Sequence, residues 1–215
     1  MSVKIRVVDN NFVSEEMAEL SLFGSSERIR IESISNDKRR SESASGLVAL
    51  KSLVCDDTIR EIARDENGRP HFVFRMGEDF NLSHSGTLTA VAYLKGEGGR
   101  VGIDIELIKE GRDEKLLRIA ERYFSEKEKE MLEKSSSTQK FYRIWTEKEA
   151  EAKMTGAGLS KLLADRSPPK SSGGYFSHYL VTYLEGKYVM TLCTNRKEDI
   201  EFSCDDGIKI SNFQF

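Results

Sequence analysis

Residues 101–107, Val-Gly-Ile-Asp-Ile-Glu-Leu, restrict the fold of this chain more than any other segment. Successive side chains of a strand point to opposite faces. Val101, Ile103, Ile105 and Leu107 therefore make one aliphatic face, which calls for a sheet packed on a core. Gly102, Asp104 and Glu106 fall on the other face. Two carboxylates spaced this way lie about 7 Å apart at their Cα atoms. They repel one another unless water or a cation intervenes. Magnesium, which takes one or two carboxylates together with substrate phosphates, would reverse the sign of that interaction. A solvated strand face accounts for the same letters, so the segment alone fixes a strand and not a metal.

The 215 residues suit one large domain or two small ones sharing a core, and a hydrophobic content of 38% can fill it. With 33 basic against 36 acidic residues the net charge is −3, which argues against electrostatic wrapping of nucleic acid. No apolar run approaches the roughly 20 residues of a membrane span. Residues 1–8 alternate charged and branched side chains instead of building a signal-peptide block. Cys55, Cys193 and Cys204 are scattered, which fits a reducing cytoplasm better than a disulfide scaffold.

The pattern predicts a strand over residues 4–8, a short amphipathic helix over 12–23, and a longer helix over 37–54 capped by Ser35 or Asn36. The inner stripe of that helix is Ala44, Leu47, Val48 and Val54, with Arg40 one turn ahead of it. Strands over 80–84, 87–94 and 100–107 are separated by Ser85-Gly86 and by Gly96-Glu97-Gly98-Gly99, as in two successive hairpins. Helices follow over 113–122, 126–134 and 138–154, the last closed by Gly156 and Gly158. After a loop holding Pro168 and Pro169, strands over 175–184 and 188–194 flank Glu185-Gly186-Lys187. Helices and antiparallel strands in each half give an α+β class.

On the helix over 138–154, Phe141, Trp145, Glu149 and Lys153 recur every fourth residue and share a face. A carboxylate following buried aromatics needs a partner. A Glu149–Lys153 helix pair supplies one, and Asp104 and Glu106 offer Glu149 another use, as a third ligand. Ser125-Glu126-Lys127-Glu128 reads as a capping box, and Glu128 near a metal equally suits a general base. Asn81-Leu82-Ser83-His84-Ser85-Gly86 sets hydroxyl and imidazole groups around a strand-end glycine, a setting for an anion. Arg69, Arg39 and Arg40 carry guanidinium groups, whose planar fork matches phosphate. There is no Gly-x-x-x-x-Gly-Lys loop, Gly-x-Gly-x-x-Gly fingerprint, Gly-x-Ser-x-Gly elbow or His-Glu-x-x-His helix. P-loop kinases, dinucleotide oxidoreductases, serine hydrolases and zinc proteases are thereby disfavoured.

Taken together, residues 81–86, residues 101–106, Phe124-Ser125 with Glu128, and Trp145-Thr146-Glu147-Lys148-Glu149-Ala150 with Lys153 resemble the phosphopantetheinyl transferases. Order and spacing are those of the longer, surfactin-synthetase-activating type, and the resemblance covers residues 35–159. It implies two similar α+β halves related by a pseudo-twofold axis, with residues 1–99 and 100–215 as the halves and a monomer as the expected state. The implied activity moves the 4'-phosphopantetheine arm of coenzyme A to a serine of an acyl or peptidyl carrier protein and releases 3',5'-ADP. By the same resemblance Asp104, Glu106 and Glu149 are magnesium ligands, and Arg40, Ser83 and His84 contact coenzyme A phosphate. Arg69 stands where the family usually has a lysine, Lys153 lies near the pyrophosphate, and Glu128 is a general base. Two rival functions draw on parts of this set: a non-catalytic module binding coenzyme A or a carrier protein, which would keep Ser83, His84 and the arginines but need no third carboxylate, and a magnesium-dependent phosphohydrolase using the same acidic triad.

Overall fold

The computed structural model describes residues 2–10, 23–54, 61–74, 77–111, 113–133, 137–158 and 173–213. The alternation at the start of the chain gives β1 (Ser2–Asp9), with Val3, Ile5 and Val7 turned inward. β1 pairs antiparallel with β5 (Leu88–Lys95) and parallel with β9 (Asp199–Cys204), while β4 (Glu78–Ser85) lies beyond β5. The first sheet therefore has the order β4-β5-β1-β9. The second sheet is antiparallel throughout and built from β6 (Val101–Leu107), β7 (Tyr175–Tyr183), β8 (Gly186–Thr194) and β10 (Lys209–Asn212), in the order β10-β7-β8-β6. A short ribbon joins β2 (Ile62–Arg64) to β3 (Pro70–Phe72).

The two sheets pack face to face. Val3, Ile5, Val7 and Leu88 of the first meet Val101, Ile103, Ile105 and Met190 of the second in one core. Burying each such aliphatic side chain contributes on the order of 1.5–3 kcal/mol. The outer face of the first sheet carries α2 (Asp37–Val54), whose Leu47 and Leu50 pack with Phe80, Val91 and Tyr93. Asn36 caps α2 by accepting the Arg39 N–H at 3.0 Å. The outer face of the second sheet carries α5 (Thr138–Thr155), closed at Gly156 in the left-handed region, φ 72°. The order of layers is helix, sheet, sheet, helix, and the class is α+β. Three more helices complete the described residues: α1 (Gly24–Glu32), α3 (Asp113–Tyr123) and α4 (Glu126–Glu133). Among them no helix is long and apolar enough to cross a membrane.

One expected hairpin does not form. β5 and β6 belong to different sheets, so residues 96–99 carry the chain from one layer to the other. The helix expected over 12–23 and the Pro168–Pro169 loop lie outside the described residues, apart from Phe23. α1 went unpredicted because charged residues dominate it, with only Glu27 and Ile31 buried. The short strands β2, β3, β9 and β10 also carried no clear alternation; β9 shows why, since it is mostly exposed and part-exposed.

Candidate functional site

β4 and β6 are edge strands of separate sheets that run side by side without a backbone ladder. An edge strand has N–H groups to satisfy, and β6 finds acceptors on the side chains of β4. Val101 N–H donates to Asp79 Oδ2 (2.8 Å), Ile103 N–H to Asn81 Oδ1 (3.0 Å) and Leu107 N–H to Ser85 Oγ (3.0 Å). Alternate β4 residues thus form a side-chain ladder across the seam, and it holds Asp104 and Glu106 opposite Ser83 and Ser85.

α5 reaches this seam because of Gly102. A Cβ at Gly102 would fall 2.0 Å from the Ala150 carbonyl oxygen and 2.5 Å from the Met154 nitrogen. With no side chain there, helix backbone rests directly on strand backbone, and Lys153 extends to the acids. Its ammonium donates to Asp104 Oδ1 (2.7 Å) and to Ser83 Oγ (3.0 Å). Ser83 Oγ in turn donates to Asp104 Oδ1 (2.7 Å). Asp104 is 3% exposed, and its Oδ2 is buried without a hydrogen-bond partner. Glu106 accepts from Ser85 Oγ at 2.9 Å and from the Trp145 indole.

The electrostatics join the three acids. Burial, then the charge of Asp104, pushes Glu149 up to about 7, with Glu106 adding and Lys153 opposing. Burial and Asp104 also raise Glu106 above the ordinary carboxylate range. For Lys153 burial acts to lower the pKa, yet Asp104, Glu149 and Glu106 outweigh it and raise it overall. Three carboxylates facing one ammonium leave a deficit of two positive charges, which one divalent cation would supply. Among the described residues no three His, Cys, Asp or Glu side chains already close into a metal cage, and the Lys153 ammonium holds Asp104 Oδ1. Asp104 Oδ2, buried and unpartnered, and the raised Glu149 leave carboxylate oxygens that could hold a cation, and an all-oxygen donor set would suit magnesium.

The expected capping box closes both ways: Glu128 Oε2 accepts from the Ser125 N–H (2.6 Å), and Ser125 Oγ accepts from the Glu128 N–H (3.4 Å) while donating to Oε2 (2.8 Å). The other Glu128 oxygen, Oε1, lies 3.0 Å from the ammonium of Lys148, an ion pair rather than an aligned hydrogen bond. Lys148 is fully buried, with its ammonium 5.8 Å from the Phe124 ring centroid. The sequence marked Lys148 only as part of a motif; its partner lies on another helix and has no local signal.

A cavity of about 380 Å³ opens beside the acids and is lined by Glu149 and Lys153 at one end and Arg30, Arg64 and His84 elsewhere. That volume suits a cofactor-sized ligand. Arg30 and Arg64 both pair with the buried Glu27, at 2.9 and 3.4 Å. They sit on α1 and β2, elements the sequence pattern did not reveal. His84 is half exposed and lies 3.4 Å from Glu42 of α2. Arg40 is not among the lining residues; its guanidinium donates to the Ile34 carbonyl and pairs with Asp37 at the start of α2. Arg69 borders the cavity but is 7% exposed. It donates to the Lys153 and Val101 carbonyls, to Asp79 Oδ2 and to the Pro70 carbonyl, taking up four of its five N–H groups. It pins the two sheets and the end of α5 together.

An acidic cluster thus lies at the rim of a cavity lined by Arg30, Arg64, Arg69 and Lys153 as well as Glu42 and Glu149, on a helix–sheet–sheet–helix frame. Residues 100–193 match the 4'-phosphopantetheinyl transferase superfamily. 4'-Phosphopantetheinyl transferase Sfp of Bacillus subtilis (strain 168) is 33% identical over 166 residues, covering 69% of this chain and 71% of Sfp. 4'-Phosphopantetheinyl transferase psf-1 of Bacillus pumilus is 35% identical over 143 residues, 60% of this chain and 58% of psf-1. The HetI transferase of Nostoc sp. is 39% identical over 106 residues, 46% of this chain and 42% of HetI. The chain belongs to the 4'-phosphopantetheinyl transferase family. It spans about half the length of HetI and psf-1.

Proposed function

We propose that this protein transfers the 4'-phosphopantetheine group of coenzyme A to a serine of an acyl or peptidyl carrier protein, with magnesium, and releases 3',5'-ADP. The observation that carries the reading is Asp104 Oδ2, buried and unpartnered where the fields of Asp104, Glu106 and Glu149 meet beside the cationic cavity. Those three carboxylates would hold magnesium, which when bound supplies positive charge to the pyrophosphate and to the departing nucleotide.

The remaining roles belong to side chains of this chain. Lys153 presents an ammonium to the same pyrophosphate from the end of the cavity. Arg30, Arg64 and His84 receive the outlying phosphate, with Glu27 and Glu42 fixing their side chains. Arg69 and Arg40 act at one remove, Arg69 by holding the Lys153 backbone and Arg40 by holding the start of α2. Glu128 divides its work between its oxygens: Oε2 caps α4, and Oε1, buried beside the Lys148 ammonium, would take the proton of the attacking serine once that ion pair opens. In this reading the halves are residues 1–99 and 100–215, with β9 of the second completing the sheet of the first. One chain thus supplies both sides of the seam and acts as a monomer.

The test is mass spectrometry of an apo-carrier protein after incubation with the protein, coenzyme A and magnesium. Transfer adds one phosphopantetheine arm to the carrier. An unchanged carrier across fatty-acid, polyketide and nonribosomal-peptide types, with free phosphate released instead, contradicts it.

A further inference from the structure

Glu42 is an acid where phosphate binding calls for cations. It lines the cavity from α2, with Gly46 and Leu47 one turn further along the same helix face. Phe80, Leu82 and His84 line it from β4, alternating as a strand requires. Glu42 is only 6% exposed. Its Oε2 lies 3.4 Å from His84 Nδ1, and its Oε1 lies 3.7 Å from the ammonium of Lys38, a mostly exposed side chain. Both are ion pairs, and among the described residues neither oxygen accepts a hydrogen bond. A buried carboxylate needs donors to offset its lost hydration. It also repels a phosphate, so what Glu42 can offer a nucleotide is an acceptor for a neutral hydroxyl or amine.

We infer that Glu42 is a specificity-determining residue that accepts a hydrogen bond from the ribose 2'-hydroxyl of coenzyme A. That role rests on the transfer reading above, in which His84 receives the outlying 3'-phosphate. The 2'-hydroxyl stands on the ribose carbon next to the one bearing that phosphate. A phosphate at His84 therefore brings the hydroxyl to the carboxylate beside the same imidazole. The hydroxyl donates to Oε1, the oxygen held only by the distant Lys38, while Oε2 keeps His84 in place. Arg30, Arg64 and His84 offset the repulsion between Glu42 and the phosphate. A hydroxyl donating to a carboxylate makes a charge-assisted bond, and an analogue without the hydroxyl leaves the buried acceptor unmet.

Calorimetry of the full chain compares 3',5'-ADP with its 2'-deoxy analogue and with inosine 3',5'-bisphosphate, which lacks the exocyclic amine, for wild type, Glu42→Gln and Glu42→Ala. Wild type should bind 3',5'-ADP about 10–100-fold more tightly than the 2'-deoxy analogue. Glu42→Ala should bind the two within about twofold of one another, with affinity for the 2'-deoxy form no lower than in wild type. Glu42→Gln keeps the shape and a neutral acceptor, and should keep a preference below about tenfold. Equal binding of the two forms by wild type overturns the inference. So does a Glu42→Ala variant that weakens both equally with the preference intact, since Glu42 then only supports His84. A wild-type penalty on the inosine nucleotide that vanishes in Glu42→Ala places Glu42 at the base and overturns the ribose assignment. If wild type binds none of the three, the transfer reading itself falls, a result distinct from binding all three without discrimination.

Discussion

Replacing Glu149 with glutamine should stabilise the protein when no divalent cation is present. A buried carboxylate raised from 4.5 to about 7 binds its proton more tightly folded than unfolded. Between those values the folded state holds the extra proton, so stability falls as pH rises through the window and the full penalty is present above it. Each pKa unit is worth about 1.4 kcal/mol, which puts the cost of ionising Glu149 at about 3 kcal/mol at pH 8. That value already includes the attraction of Lys153, so removing the charge with glutamine should gain about 3 kcal/mol. Urea unfolding in chelator at pH 5 and pH 8 measures it. The variant should gain on wild type at pH 8, match it near pH 5, and respond little to added magnesium, which should stabilise wild type. A glutamine variant no more stable than wild type at pH 8 would refute the claim that Glu149 sits in a cation-deficient cluster.

Gly102→Ala forces a methyl group into helix backbone and should cost about 3 kcal/mol or more; an unchanged urea midpoint would show that α5 can move away freely. Asp79→Ala leaves the Arg69 guanidinium and the Val101 N–H without their acceptor. Breaking a buried pair in this way costs about 3–5 kcal/mol, so a melting temperature equal to wild type would count against the seam as a structural unit. Glu128→Gln should slow transfer about 100-fold or more with coenzyme A affinity unchanged. A variant that merely melts earlier at full turnover makes Glu128 a cap alone.

The strand over 101–107 and the helix over 37–54 were legible because their patterns are local: period two in one, a cap and an apolar stripe in the other. The fourfold recurrence of Trp145, Glu149 and Lys153 was legible for the same reason. What the letters did not carry was which edge meets which. The loop over 96–99 looks like a hairpin turn, and only the side chains of Asp79, Asn81 and Ser85 reveal β4 as the neighbour of β6, across a seam instead of a ladder. Arg69 read as a free cation because its partners beyond its own turn, the Lys153 and Val101 carbonyls and the Asp79 carboxylate, lie on other segments. Arg30 and Arg64 went unseen because their anchor, Glu27, is a buried acid in a helix with almost no apolar stripe. Gly102 read as one more residue on the acidic face; its function is to let a helix backbone touch the strand.

The most direct measurement is an anomalous difference map from crystals grown with manganese and coenzyme A. The account predicts one strong peak bonded to Asp104 Oδ2 and to carboxylate oxygens of Glu106 and Glu149, with a pyrophosphate oxygen completing its shell. A peak bound elsewhere, or a pyrophosphate lodged away from Lys153 with these three acids bare, would contradict it.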